Sequence, residues 1–275
     1  MSLTAASGPF GTRPQGEFNF ERPRTRGVIY WEPSPRRVRG DLGGEVVVDS
    51  RAVMLLHETG HQPVWYFPRA DVRADLLERS EKRTRCPWKG EASYWSVRVG
   101  DRLAPDAAWA YLDPLPDAPP LAEYMAFHWD ALDRWREEDE EVHTHVRDPY
   151  HRIDVLPTSR HVRVSLDGEP LAESRRAVVL FETGLPPRWY FLEDDVRTEL
   201  LEPCPDERTG CPYKGFAEYR SVRLGDRVER ALAWTYREPS RAAAPIAGRL
   251  AFFDERVDLE VDGEAWERPR TQWSA

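Results

Sequence analysis

From Val28 onward the apolar positions fall in short runs of Val, Leu, Trp and Tyr, broken every few residues by Gly, Asp or Pro. Runs of that length between turn residues are β punctuation. The pattern predicts strands over residues 45–48 and 52–56, with Gly43-Gly44 as the turn before them. Further strands are expected over 65–67, 92–99, 109–112 and 125–129. One short helix is expected between residues 68 and 77, where Val72 and Leu76 share a face at i, i+4 spacing and Asp71 suits a first turn.

The same pattern then returns. Residues 58–67 align with 182–191 at seven of ten identities, and 86–101 with 211–226 at eleven of sixteen, at offsets of 124 and 125 residues. One net insertion therefore separates two copies of a domain. The expected organisation is a mobile leader over 1–26, a first repeat over 27–139, a linker over 140–149, a second repeat over 150–264 and a tail over 265–275. The leader is rich in Gly, Pro, Arg and Ser without period. The acidic run 137–141 reads as a solvated linker or an exposed helix end. A short echo, Glu21-Arg22-Pro23-Arg24-Thr25 against Glu267-Arg268-Pro269-Arg270-Thr271, reads either as two docked arms or as chance.

Composition narrows the function classes. With 40% apolar and 32% charged residues and a net charge of −9, the chain reads as an acidic globular protein. No apolar run approaches the roughly 18 residues of a membrane span, and the first residues lack the apolar segment of a secretory signal, so a cytoplasmic address without membrane insertion is expected. The acidic balance disfavours a nucleic-acid partner, although Arg13, Arg22, Arg24, Arg26, Arg36, Arg37 and Arg39 make the start locally basic. Three cysteines make neither a disulfide framework nor a four-thiolate zinc set. His143 and His145, with His151 near, have the side-chain types of a metal site, or of a plain hydrophilic linker; no metal and no cofactor is assigned.

What both copies keep is the internal signal for chemistry. Gly60, Gly90 and Gly100 with their partners suit turns, and Trp65, Phe67 and Trp109 are most simply core residues. Lys89 follows Cys86 by three residues and Lys214 follows Cys211 likewise, so an ammonium could favour a thiolate. No histidine is repeated, because His57 faces Phe181 and His61 faces Leu185; a shared Cys/His dyad is excluded. Glu58 and Glu182 are shared acids that could work with Lys89 and Lys214 at a site, or simply form ion pairs. The catalytic candidates are thus Cys86, Lys89, Glu58, Cys211, Lys214 and Glu182. The ligand-binding candidates are Tyr66, Asp71, Arg73, Trp88, Tyr94 and Trp109 in the first copy. Tyr190, Asp195, Arg197, Tyr213, Tyr219 and Trp234 are their counterparts in the second. Phosphate-loop, dinucleotide, nucleophile-elbow and zinc-protease motifs are missing from the sequence.

These residues resemble a known family. Trp65-Tyr66-Phe67, Asp71-Val72-Arg73, Cys86-Pro87-Trp88-Lys89-Gly90, Ala92, Tyr94, Trp109 and Tyr111, with their second copies, are similar to the bacterial proteins grouped as domain of unknown function 427, in places given a nucleotidyltransferase label. The Gly-Ser and Asp-x-Asp residues behind such a label do not occur here. The family in turn resembles the β-tent group, which includes methionine sulfoxide reductase B, formaldehyde-activating-like domains and the ligand domain of cereblon. That likeness implies a mainly β protein of two tandem β-tent-like domains, each of short antiparallel strands with a short helix and an aromatic-lined cleft. The group's zinc clamp needs four cysteines; each copy has one shared cysteine, and Cys204 has no counterpart. Three functional readings follow: a cleft for a small polar or aromatic ligand, an enzyme using Cys, Lys and Glu, and an interaction scaffold docking partners through the leader.

Overall fold

A computed structural model describes residues 3–5, 7–14, 16–21, 27–271 and 273–274. Residues 22–25 of the terminal echo and part of the expected mobile leader lie outside these residues. The chain divides into two compact units, Met1–Asp148 and Pro149–Ala275. Both are built from antiparallel strands and short turns, so the protein is mainly β and tandemly duplicated.

The strands of the first unit are β1 Ile29–Pro33, β2 Val38–Leu42, β3 Glu45–Ser50, β4 Met54–Glu58, β5 Val64–Pro68 and β6 Leu77–Cys86. They continue as β7 Gly90–Val99, β8 Arg102–Ala110, β9 Tyr124–Phe127, β10 Arg134–Glu137 and β11 Glu140–Val142. A seven-stranded sheet runs β1-β4-β5-β9-β8-β7-β6, and a four-stranded sheet runs β11-β10-β2-β3. Alternation along β5 sends Trp65 and Phe67 into a core between the sheets with Val38, Val47, Val97, Phe127 and Trp135, while Tyr66 joins a second cluster on the other face with Leu56, Tyr94 and Tyr111.

The second unit repeats this order. Its strands are β12 Ile153–Pro157, β13 Val162–Leu166, β14 Glu169–Ser174, β15 Val178–Glu182, β16 Arg188–Tyr190 and β17 Leu201–Cys211. β18 Gly215–Leu224, β19 Arg227–Thr235, β20 Leu250–Phe252, β21 Asp258–Val261 and β22 Glu264–Trp266 complete it. The large sheet is here two pieces, β12-β15-β16 and β17-β18-β19-β20, joined by a single Phe191–Leu250 bridge. The net insertion falls in β17, where the pairing shifts between Cys204 and Arg208.

Three local expectations change. The helix expected over 68–77 is two separate 3-10 turns, Arg69–Asp71 and Ala74–Leu76. Between them Val72 is extended and bridges Val48, and the Arg73 N–H donates to the Val47 carbonyl at 2.9 Å, so backbone pairing overrides the i, i+4 spacing. The acidic run 137–141 is neither linker nor helix end but the β10–β11 hairpin: Glu137 is buried against Arg36 and Arg147, and burial raises its carboxyl above the ordinary value. In the leader, the Gly60 N–H donates to the Thr4 carbonyl at 2.9 Å and the Thr59 hydroxyl to the Phe10 carbonyl at 2.8 Å, so this stretch lies against the β4–β5 turn. Arg36, Arg37 and Arg39, part of the basic start, are each paired with an acid: Glu137, Asp49 and Asp139.

Candidate functional site

The repeated pentapeptide is the β6–β7 turn. Cys86 pairs across to Gly90, and three residues close the hairpin. Gly90 has φ of +106°, and a Cβ there would stand 3.2 Å from the Asp113 carbonyl oxygen; Gly215 repeats this with +99° and 3.1 Å to the Glu238 carbonyl. Only glycine meets both demands. The loop is then pinned by the Lys89 carbonyl, which accepts from the Leu115 N–H at 3.1 Å, as Lys214 accepts from Ser240 at 3.0 Å.

Held so, Lys89 turns inward and donates to the Glu58 carboxylate at the end of β4. Lys214 does the same to Glu182. Both pairs are largely removed from solvent. Beneath them lie the phenols: Trp109 Nε1–H donates to the Tyr66 hydroxyl at 3.3 Å and Trp234 Nε1–H to Tyr190 at 3.0 Å. Tyr94 bonds Thr84 at 2.9 Å and Tyr219 bonds Thr209 at 2.7 Å. Burial pushes the Tyr190 hydroxyl up to about 12 and raises Tyr66 and Tyr111 as well, so these phenols stay protonated at neutral pH.

The structure thus brings Glu58, Cys86, Lys89, Tyr66, Tyr94 and Trp109 onto one face of the large sheet, as does the second unit with its equivalents. Trp88 is half-buried at the turn itself, and Tyr213 stacks on His151 with ring centroids 3.9 Å apart. Asp71 and Arg73 are placed elsewhere. Asp71 accepts from the Ser50 hydroxyl at 2.6 Å, and Arg73 pairs with Asp75. Asp195 likewise takes Ser174 and Arg176, and Arg197 takes Glu169 and Glu199. All four are engaged by side chains of their own neighbourhoods, away from the Glu–Lys pairs.

Thiolate chemistry gains no support from the lysine. Burial raises the Cys211 thiol, and the Lys214 ammonium does not reverse it, because that charge is engaged by Glu182. Cys86, Cys204 and Cys211 are free thiols.

Comparison of the copies for shared residues overlooked His151. Its Nε2 lies 3.0 Å from Glu182 Oε1, while Lys214 takes the other carboxylate oxygen. Burial alone would raise the Glu182 carboxyl, but the His151 hydrogen bond and the Lys214 charge outweigh it and hold it down at about 2. Because Ile153 pairs with Glu182 as Ile29 pairs with Glu58, His151 stands where the first unit has Gly27. His143 lies 3.4 Å from Glu141 and His145 Nδ1 is 2.8 Å from the Val146 carbonyl. Among the described residues no group of three or more His, Cys, Asp or Glu side chains is placed to hold a metal ion.

A cavity of about 230 Å³ in the first unit is walled by Trp65, Phe67, Trp109, Phe127, Trp129 and Trp135. Gln62, His128 and His145 add polar edges. Burial beside Lys82 lowers the His128 pKa, leaving a neutral ring at neutral pH. The indole of Trp135 closes one wall by stacking on Phe67 and Trp129, each 5.9 Å away, and Trp135 Nε1–H donates to the Trp129 carbonyl at 3.0 Å. Only Trp109 among these was a binding candidate; Trp65 and Phe67 read as core, since an apolar pattern cannot separate a core residue from a cavity wall.

Two copies of one antiparallel domain, each with the same buried Glu–Lys pair over tyrosines and tryptophans, define a duplicated aromatic β-domain protein. The chain belongs to the family described as Domain of unknown function (DUF427), whose model matches residues 30–138 and 154–263. No characterised protein matches the chain. No helix among the described residues is long and apolar enough to cross a membrane.

Proposed function

We propose that the first unit is a binding module for a small organic ligand, held in the aromatic cavity beside Trp109. The observation that carries this is the cavity itself: about 230 Å³, open on one side and lined by six aromatic side chains with a few polar groups at its edges. Ligand pockets have this character, apolar walls with sparse polar groups, and a cavity of about 150 Å³ already holds a benzene. The Glu58–Lys89 pair is better read as the clamp that fixes the β6–β7 turn to β4, because each charge is engaged by the other and largely buried. The enzyme reading gains no support from these groups, since Glu58 and Lys89 engage each other and burial raises the Cys211 thiol. Tryptophan emission tests the proposal, since four of the walls are indoles. Small aromatic and polar fragments are expected to change the emission of the wild-type chain saturably, and Trp129→Ala to abolish that response while melting as a folded protein. No saturable response to any fragment class, or an undiminished response in Trp129→Ala, would remove the cavity from consideration.

A further inference from the structure

The second unit reveals which chemistry the cavity's position accepts. Arg188 pairs with Leu180 as Val64 pairs with Leu56, so Arg188 stands in the place of Val64. Trp234 stands in the place of Trp109, each opposite the repeated tyrosine of the neighbouring strand. The Arg188 side chain is 6% exposed, and its guanidinium carbon lies 5.8 Å from the Trp234 ring centroid and 5.8 Å from that of Trp273. Asp254, 3.1 Å away, and Glu255 supply the counter-charge. The second unit therefore places a cation of its own chain over the repeated tryptophan.

The first unit has the ring, and among the described residues no cation stands over it. Val64 is too short to reach over Trp109, and Val64 and Trp109 both line the open cavity. Because Phe127 and Phe252 are equivalent, Trp129 stands where Asp254 does, so an indole replaces the carboxylate. No carboxylate lines the cavity among the described residues, the His128 ring is neutral, and the Lys82 ammonium that acts on it is paired with Asp106 at 3.5 Å. Aromatic faces without a counter-ion select cations that are weakly hydrated, above all methylated ammonium groups.

Resting on the small-ligand reading above, we propose that the cavity of the first unit binds an organic cation of the methylated ammonium type, its charge standing over Trp109 as the Arg188 guanidinium stands over Trp234. Choline and its neutral isostere 3,3-dimethylbutan-1-ol are the probes, titrated into the intact chain by calorimetry and tryptophan emission. Choline is expected to bind about tenfold more tightly than the alcohol, the preference a desolvated cation–π contact gives. Val64→Arg, which delivers the chain's own guanidinium to the cavity, is expected to abolish choline binding. Trp129→Ala is expected to weaken it about tenfold or more, and carries the test if Val64→Arg does not fold. Equal binding of the two probes overturns the cation inference while leaving the small-ligand reading standing. Absence of choline binding also overturns it, and the fragment titration then decides the wider reading independently. Full choline binding by both folded variants places the cation elsewhere and overturns the proposal as well.

Discussion

The residue with the most to reveal about this fold is Glu182, one carboxylate between Lys214 and His151. Its pKa of about 2 lies below the ordinary 4.5, so the unfolded chain takes up the proton first as pH falls. The stabilisation is complete above about pH 4.5 and is lost as pH drops toward 2. The shift corresponds to roughly 3 kcal/mol. Asp254 runs the other way: burial pushes it up to about 7, so its contribution is full below the ordinary carboxylate value of 3.8 and is lost as pH rises through 7. Denaturant midpoints of the wild-type chain and Glu182→Gln should therefore differ most near pH 7 and converge toward pH 2; a gap independent of pH would contradict the ion-pair account. Sequence alone offered Glu58 with Lys89 and Glu182 with Lys214 as either site or ion pair. It named His151 only beside His143 and His145 and could not set it on Glu182, because a comparison that keeps only what two copies share discards what one copy adds.

At the scale of elements, the copies solve one packing problem in two ways. Trp135 on β10 lies opposite Gly40 on β2 and Val142 on β11; the second unit has Leu259, Val164 and Trp266 at those places. The bulky ring has moved across the hairpin, yet either way it packs on the repeated tryptophan: Trp135 lies 5.6 Å from Trp65 and Trp266 lies 5.7 Å from Trp189. Gly40 is obligatory with Trp135, since a Cβ there would come within 2.7 Å of both the Trp135 ring and Leu132 Cδ1. Gly40→Val alone should cost ~1–3 kcal/mol from overpacking. Adding Trp135→Leu and Val142→Trp, the second unit's own solution, should restore part of it, the contact with Leu132 remaining; denaturation midpoints measure both. A triple variant no more stable than the single one would sink the idea of exchange. The strands themselves were legible because β-branched and aromatic runs between turn residues have few other fates. The helix over 68–77 was misread because Val72 answers to a partner strand, which spacing along the chain does not record.

For the molecule as a whole, duplication produced two units of one topology with different contents at one position. The second fills the space over Trp234 with Arg188 and matches that charge with Asp254 and Glu255. Such a group is costly to empty: removing the cation alone leaves the Glu255 carboxylate buried without its partner, a loss of about 3–5 kcal/mol. The first unit puts Val64 and Trp129 at the corresponding places and keeps a cavity. Equal fold therefore does not imply equal occupancy: at the place where the second unit seats Arg188, the first keeps an open cavity beside Trp109. Calorimetric titration with choline should accordingly return one equivalent, and none after Val64→Arg. Two equivalents would mean that Arg188 yields its place to an external cation, which its burial between two acids opposes, and would require the two units to be treated as functionally alike.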